Sequence, residues 1–258
     1  MLELNKIYNM DCLDGLRQME DCCVDLTVTS PPYDDLRKYN GYSWDFESVA
    51  KELYRVTKDG GVVVWVVGDK TKSGSETGTS FKQALFFKEL GFNLHDTMIY
   101  QKSGSGACGS NKCYIQSFEY MFVFTKGKIK TYNLIYDRKN EKVLLNNVSN
   151  GNRNGVVKKV RMDCKPFGRR FNIWKYDTGN NKSTKDKIAF KHPAIFPEKL
   201  AYDHIISWSN EGDVVMDIFM GSGTTAKMCK LTNRNYIGFE ISEEYCKIAE
   251  ERLSKVVS

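Results

Sequence analysis

Apolar positions along the chain fall into short runs that alternate with helically spaced stretches. Residues 24–29 (VDLTVT) read as a buried strand ending at a turn, Ser30-Pro31-Pro32-Tyr33, because two prolines bar a central strand or helix interior there. Residues 48–56 have helical spacing. Asp59-Gly60-Gly61 reads as a turn. Residues 61–67 (GVVVWVV) form a near-continuous apolar run, the pattern of a strand buried on both faces. A Gly/Ser/Thr loop over 71–80 precedes a helix over 81–90, with Gly91 as its stop. Strands follow at 93–101 and 119–125, separated by a loop rich in Gly, Ser and Cys.

Residues 126–172 lose this regularity, and it returns afterwards. A helix is expected over 197–209, a strand over 213–217 (DVVMD), a loop at Gly221-Ser222-Gly223 and a helix over 224–231. A strand over 235–240 (NYIGFE) then ends in a carboxylate, and a helix over 243–255 closes the chain. Strands alternating with helices imply an α/β fold with a mostly parallel sheet and helices on both faces. The expected organisation is a first α/β half over 1–125, an insert over 126–172 and a second half over 173–258.

Composition changes this picture in one place. The net charge is +6, but 14 Lys or Arg stand against three acids between residues 126 and 175, so this fifth of the chain carries +11 and the rest about −5. Such an excess is either a solvated loop or the footprint of a surface that meets phosphates. An apolar fraction of 41% is ordinary for a globular chain, and no apolar run approaches the ~20 residues of a membrane span. The first residues, MLELNKIYNMDCLDGL, lack a basic-then-apolar signal pattern, so a cytoplasmic location is expected. The eight cysteines are scattered apart from Cys108 and Cys113, and only three histidines accompany them. A zinc site needs about four ligands in close pairs, so reduced thiols and no metal are expected.

Two segments carry candidate chemistry. Gly221-Ser222-Gly223-Thr224-Thr225-Ala226 follows a strand and opens a helix, the context in which a glycine loop lets backbone approach a ligand. Glu240, at the end of the next strand, can accept hydrogen bonds from ribose hydroxyls. Together they suit an adenosine-bearing cofactor, either a nicotinamide or a methyl donor. The loop begins about 40 residues before the last residue, which leaves no second α/β half for a dinucleotide; its partner strands are expected from upstream. In the other segment, Ser30 Oγ and the Pro31 carbonyl can accept from an amino group, the prolines stiffen the turn, and Tyr33 can stack on a flipped base.

In combination these motifs resemble the amino-methyltransferases of bacterial and phage DNA, in the permuted class whose catalytic half precedes the cofactor half. The resemblance runs through residues 10–33, 59–69 (DGGVVVWVVGD) and 116–127 (QSFEYMFVFTKG). It continues through HPAIFPEKL, GDVVMDIFMGSGTT and IGFEISEEYCKIAEERL between residues 192 and 253. It implies a Rossmann-like S-adenosylmethionine-dependent methyltransferase fold with Ser30, Pro31, Pro32 and Tyr33 as the catalytic motif. It implies Asp217, Phe219, Gly221, Ser222, Gly223 and Thr224 as the cofactor loop, Glu240 as ribose ligand and Asp11 as the acidic contact to the adenine ring. The family's Asp-Pro-Phe is here Asp217-Ile218-Phe219, which bears on loop rigidity.

The resemblance also makes the basic insert a target-recognition region, with Lys158, Lys159, Arg161, Arg169 and Arg170 as candidate contacts to double-stranded DNA. It leaves a cognate restriction endonuclease and a homodimer open, within a restriction–modification or DNA-protection role. The implied chemistry is direct methyl transfer to an exocyclic amino nitrogen. Serine at position 30 favours cytosine N4, with adenine N6 as the alternative. An RNA or protein methyltransferase and a DNA-binding regulator without catalysis are the more distant readings. Carbon methylation of cytosine would need a thiolate, typically in a Pro-Cys pair, and no cysteine here follows a proline.

Overall fold

The computed structural model describes residues 2–32, 44–103, 112–140, 165–179 and 182–256. The chain divides into two compact units, one of Met1–Asn133 with Asn172–Ser258 and one of Leu134–Phe171.

The larger unit is built on one eight-stranded sheet. It opens with β1 (Lys6–Asn9), α1 (Cys12–Arg17), β2 (Val24–Thr29), α2 (Phe46–Val56) and β3 (Thr57–Val67). A small hairpin, β4 (Thr71–Lys72) and β5 (Ser75–Glu76), leads to α3 (Thr79–Glu89), β6 (Phe92–Lys102) and β7 (Phe118–Lys126). The smaller unit supplies β8 (Arg138–Lys139) and β9 (Phe167–Gly168). The chain then returns through β10 (Ile173–Tyr176), a 3-10 turn (Lys187–Lys191), α4 (Glu198–Trp208), β11 (Val214–Asp217), α5 (Thr224–Leu231), β12 (Asn235–Glu240) and α6 (Glu243–Ser254).

The order across the sheet is β1-β12-β11-β2-β3-β7-β6-β10. Every neighbouring pair is parallel except the two that β7 makes, with β3 and with β6. The C-terminal strands β11 and β12 are thus inserted between β1 and β2, which is the rearranged chain order expected from the late glycine loop.

The core follows from alternation on these strands. On β3, Val63, Trp65 and Val67 join a cluster with Leu16 of α1, Leu53 of α2 and Phe87 of α3. Val62, Val64 and Val66 are equally buried and point to the other face. On that side α4 packs against α5, and α5 against α6. This two-sided burial explains the unbroken apolar run.

Helix α2 shows how local sequence sets an element. Val49, Ala50, Leu53 and Val56 are buried at helical spacing, Asp45 caps the first turn by accepting from the Ser48 amide at 3.2 Å, and Arg55 sits in the last turn. Burying each of its larger apolar side chains contributes about 1.5–3 kcal/mol.

The expected turn at Asp59-Gly60-Gly61 is instead part of β3. Val24 pairs with Thr57 and Leu26 with Val62, so β3 accommodates its extra residues as a bulge, with Gly60 at φ +83°. The loop expected over 71–80 contains the β4–β5 hairpin and the start of α3. Strands β1 and β10 and helix α1 had no periodic signal, being only four to six residues long.

In the smaller unit β8 and β9 form an antiparallel ribbon. Arg170 is ion-paired with Asp137, its Nε donating to Oδ2 at 2.9 Å, and Arg138 lies over the Phe171 ring at 4.7 Å. Arg169 is exposed, and its carbonyl accepts from Arg138 Nε at 3.1 Å. Lys158, Lys159 and Arg161 lie outside the described residues. Lys126, counted in the basic run, turns inward in the larger unit and donates to the Tyr54 and Thr57 carbonyls, each at 2.9 Å.

Candidate active site

Strands β2 and β11 are parallel neighbours, so both their carboxyl ends meet one edge of the sheet, where open α/β sheets place ligands. The Ser30 turn leaves β2 there, and the glycine loop leaves β11. They are tied together by a buried knot. Asp217 Oδ1 accepts from Thr29 Oγ1 at 2.7 Å and from the Phe219 amide at 3.0 Å, and Asp217 Oδ2 accepts from Thr225 Oγ1 at 2.7 Å. Burial raises the Asp217 carboxyl above its ordinary pKa, and the two hydroxyls and the amide pull against that shift.

The loop itself is shaped by two glycines in the left-handed region. At Gly223 (φ +78°) a Cβ would stand 2.6 Å from Ala249 Cβ, so its absence lets α6 close against the start of α5. At Gly221 (φ +52°) a Cβ would stand 3.0 Å from His192 Nε2. The glycines therefore make room for protein neighbours, Ala249 and His192. Ser222 and Thr224 are held by Arg252, whose Nη1 donates to the Ser222 carbonyl at 2.5 Å and to the Ser222 and Thr224 hydroxyls, each at 3.1 Å.

Glu240 closes the loop from the next strand. Its Oε2 accepts from the Gly221 amide and its Oε1 from the Ser242 amide, both at 2.8 Å. Burial raises its pKa, opposed by these same amides. A carboxylate has about four acceptor positions, and the amides of Gly221, Ser242 and Ile241 act on this one, so Glu240 keeps acceptor capacity for a ligand hydroxyl.

A cavity of about 790 Å³ joins these parts. Ser30, Pro31 and Pro32 line it together with Asp217, Phe219, Gly221, Ser222, Thr224 and Glu240. A nucleoside-bearing cofactor fits this donor set: a carboxylate with spare acceptor positions, a glycine-formed loop and an apolar flank that includes Phe219. Phe219 is braced edge-on by Trp44 at 5.1 Å between ring centroids.

Asp11 caps α1, its Oδ1 accepting from the Leu13 amide at 2.8 Å and the Asp14 amide at 3.3 Å, while its neighbours Met10 and Cys12 line the cavity. Tyr33 lies outside the described residues.

Sequence reasoning attached no role to His192, Arg252 or Cys12. His192 packs edge-on against Tyr245 at 4.3 Å and lines the cavity. Its signal was the HPAIFPEKL segment, legible as a motif but silent on contacts. Burial pushes the Cys12 thiol up to about 12, so this cavity cysteine stays protonated and is no nucleophile near neutrality.

A mostly parallel α/β sheet, with a glycine loop and a proline turn opening into one cavity at adjacent strand ends, defines the Rossmann-like methyltransferase fold. The chain belongs to the N6_N4_Mtase family of DNA methylases, which it matches over residues 24–251. It is 65% identical over 242 residues to the orphan methyltransferase M.BamHII of Bacillus amyloliquefaciens, covering 92% of this chain and 91% of that protein. It is 30% identical over 260 residues to the type II methyltransferase M.BglII of Bacillus subtilis, covering 97% and 69% respectively. The fold is shared with the cytosine-N4-specific PvuII DNA methyltransferase, with TM-score 0.72, 22% identity and coverage of 98% and 88%. It is shared also with M1.HpyAVI in its complex with SAM, with TM-score 0.63, 21% identity and coverage of 96% and 98%.

Proposed function

We propose that this protein methylates the exocyclic amino nitrogen of a base flipped out of double-stranded DNA, using S-adenosylmethionine, and that the base is cytosine. The observation that carries the reading is the sharing of one cavity by the Ser30-Pro31-Pro32 turn and the Gly221–Glu240 wall. When bound, S-adenosylmethionine supplies an electrophilic methyl group on a sulfonium. Glu240 holds the ribose hydroxyls, and the loop 219–224 positions the methionine end. Asp11 and its cavity-lining neighbours receive the adenine. Ser30 Oγ and the Pro31 carbonyl accept from the two amino hydrogens, orienting the nitrogen and drawing density onto it. Tyr33 stacks on the extruded base. Placement of the two reactants supplies much of the acceleration. The protonated Cys12 thiol is in keeping with a route that needs no covalent enzyme intermediate.

Serine rather than aspartate at position 30 favours cytosine N4 over adenine N6, because a short neutral acceptor suits the smaller ring. The basic insert, with Lys158, Lys159, Arg161, Arg169 and Arg170, contacts DNA phosphates, and the modification serves restriction–modification or protection of DNA. Labelled methyl transfer from S-adenosylmethionine to duplex DNA tests the reading. Transfer that falls sharply in Ser30→Ala, with donor binding intact, supports it; wild-type protein that labels RNA or protein but not DNA overturns it.

A further inference from the structure

Beneath the glycine loop lies a cluster of four charged side chains with no place in the proposed chemistry. Arg252, fully buried on α6, donates through Nε to Asp186 Oδ2 at 3.0 Å and through Nη2 to Glu198 Oε1 at 2.7 Å. Lys227 of α5 donates to the same two oxygens, each at 2.7 Å. Thr184 Oγ1 completes the cluster, donating to Glu198 Oε1 at 2.6 Å and accepting from the Asp186 amide at 3.0 Å. Burial pushes the Asp186 carboxyl up, but its bonds to Lys227 and Arg252 prevail and hold it below its ordinary value.

The two cations share their acids but not their reach. Among the described residues, the Lys227 ammonium bonds only the two carboxylates. Arg252 spans further, because a guanidinium presents five donors in a fixed fork. Its remaining nitrogen holds the Ser222 carbonyl and the hydroxyls of Ser222 and Thr224, both of which line the cavity. The same cluster also grips Glu198 at the start of α4, whose amide donates to the carbonyl of Ser183, another cavity-lining residue. We propose that Arg252 is a positioning residue for the methyl donor, using the Asp186–Glu198 pair as a fixed anchor to hold the Ser222–Thr224 segment in its ligand-ready conformation. A charge buried without its partners is strongly unfavourable, so the guanidinium has one stable place, and the loop carbonyl is oriented by it. The loop thereby meets its ligand already ordered, which lowers the entropy cost of binding.

The inference rests on the reading of the cavity as the S-adenosylmethionine site, and calorimetry on the wild-type full chain tests that reading separately. With wild-type binding established, Arg252→Lys keeps a cation between the two acids but cannot also reach the loop. It is expected to weaken S-adenosylmethionine and S-adenosylhomocysteine about tenfold or more, raising KM for the donor while kcat at saturating donor stays within about twofold. Lys227→Gln removes a cation from the same acids without touching the loop. It is expected to lower the melting temperature yet leave donor affinity within about twofold. Should Arg252→Lys fail to fold, Glu198→Gln keeps the side-chain shape and loosens the anchor. It is then expected to weaken the donor at least threefold while melting cooperatively. Unchanged donor affinity in the folded Arg252 or Glu198 variant overturns the proposal. So does an equal loss of affinity in Arg252→Lys and Lys227→Gln that merely follows their stability.

Discussion

Thr29 and Asp217 are joined by a 2.7 Å hydrogen bond between the last residue of β2 and the last residue of β11. Each strand continues into one of the two functional segments, the Ser30 turn and the glycine loop. This buried contact therefore adds to the backbone pairing of β2 with β11 in fixing the spacing between the two segments proposed to hold the acceptor nitrogen and the methyl donor. Thr29→Val keeps the side-chain shape but removes a hydroxyl donor to a buried carboxylate. It is expected to destabilise the protein by about 1.5–3 kcal/mol and to reduce kcat more than it raises the donor KM. Denaturant melts and steady-state kinetics on the same preparation check both halves.

Glu240 gives a pH prediction with a definite sign. Its folded-state pKa is raised by burial. In the free protein this favours stability at low pH and removes that contribution as pH rises through the folded pKa. With Glu240 as the proposed ribose ligand, donor binding runs the other way, because ribose hydroxyls would donate to the ionised carboxylate. Affinity is expected to fall as pH drops through the raised Glu240 pKa, with proton release on binding in that range. Glu240→Gln is expected to bind more weakly and to lose this slope. Calorimetry in buffers of different ionisation enthalpy measures both the slope and the protons released.

The basic insert gives an electrostatic one. Replacing Lys158, Lys159 and Arg161 together by Gln is expected to weaken DNA binding and to reduce the log–log salt slope by about 0.9 for each phosphate no longer neutralised. Donor binding is expected to be unchanged. Arg170 belongs to a different case, because its charge is already engaged by Asp137. Arg170→Gln is expected to change the slope less than the exposed Arg169→Gln. Fluorescence anisotropy over a salt series separates these cases.

The Ser30 turn, as the proposed catalytic motif, gives a graded series. Ser30→Ala removes one of two orienting acceptors and is expected to cut turnover while leaving donor affinity intact. Tyr33→Ala is expected to cost more, because stacking on an extruded base is worth about 1–3 kcal/mol, and Tyr33→Phe is expected to be mild. A Tyr33→Phe loss as large as that of Tyr33→Ala would assign the hydroxyl, rather than the ring face, the main role.

Much of this architecture was legible because burial on both faces leaves an unbroken apolar run, as in Val62–Val67. The two site segments were legible because proline and glycine mark where backbone departs from regular structure, at Pro31-Pro32 and Gly221–Gly223. What escaped was set by long-range contact. Arg252 looks like any late-helix cation until α6 folds over α5, and Asp186 and Glu198 lie far from it in the chain. Gly223 suggests ligand approach, yet its missing Cβ makes room for Ala249. The Gly60 bulge imitates a turn because both need the same left-handed backbone.

The most direct test of the account is the identity of the modified nucleoside. Duplex DNA treated with the protein and S-adenosylmethionine is digested to nucleosides and analysed by mass spectrometry against standards. N4-methylcytosine is the expected product, made by the proposed Ser30-Pro31-Pro32-Tyr33 turn acting on an exocyclic amino group. N6-methyladenine without N4-methylcytosine would contradict the assignment of the base. 5-Methylcytosine would contradict the mechanism itself, since carbon methylation requires a thiolate that the buried, protonated Cys12 does not supply.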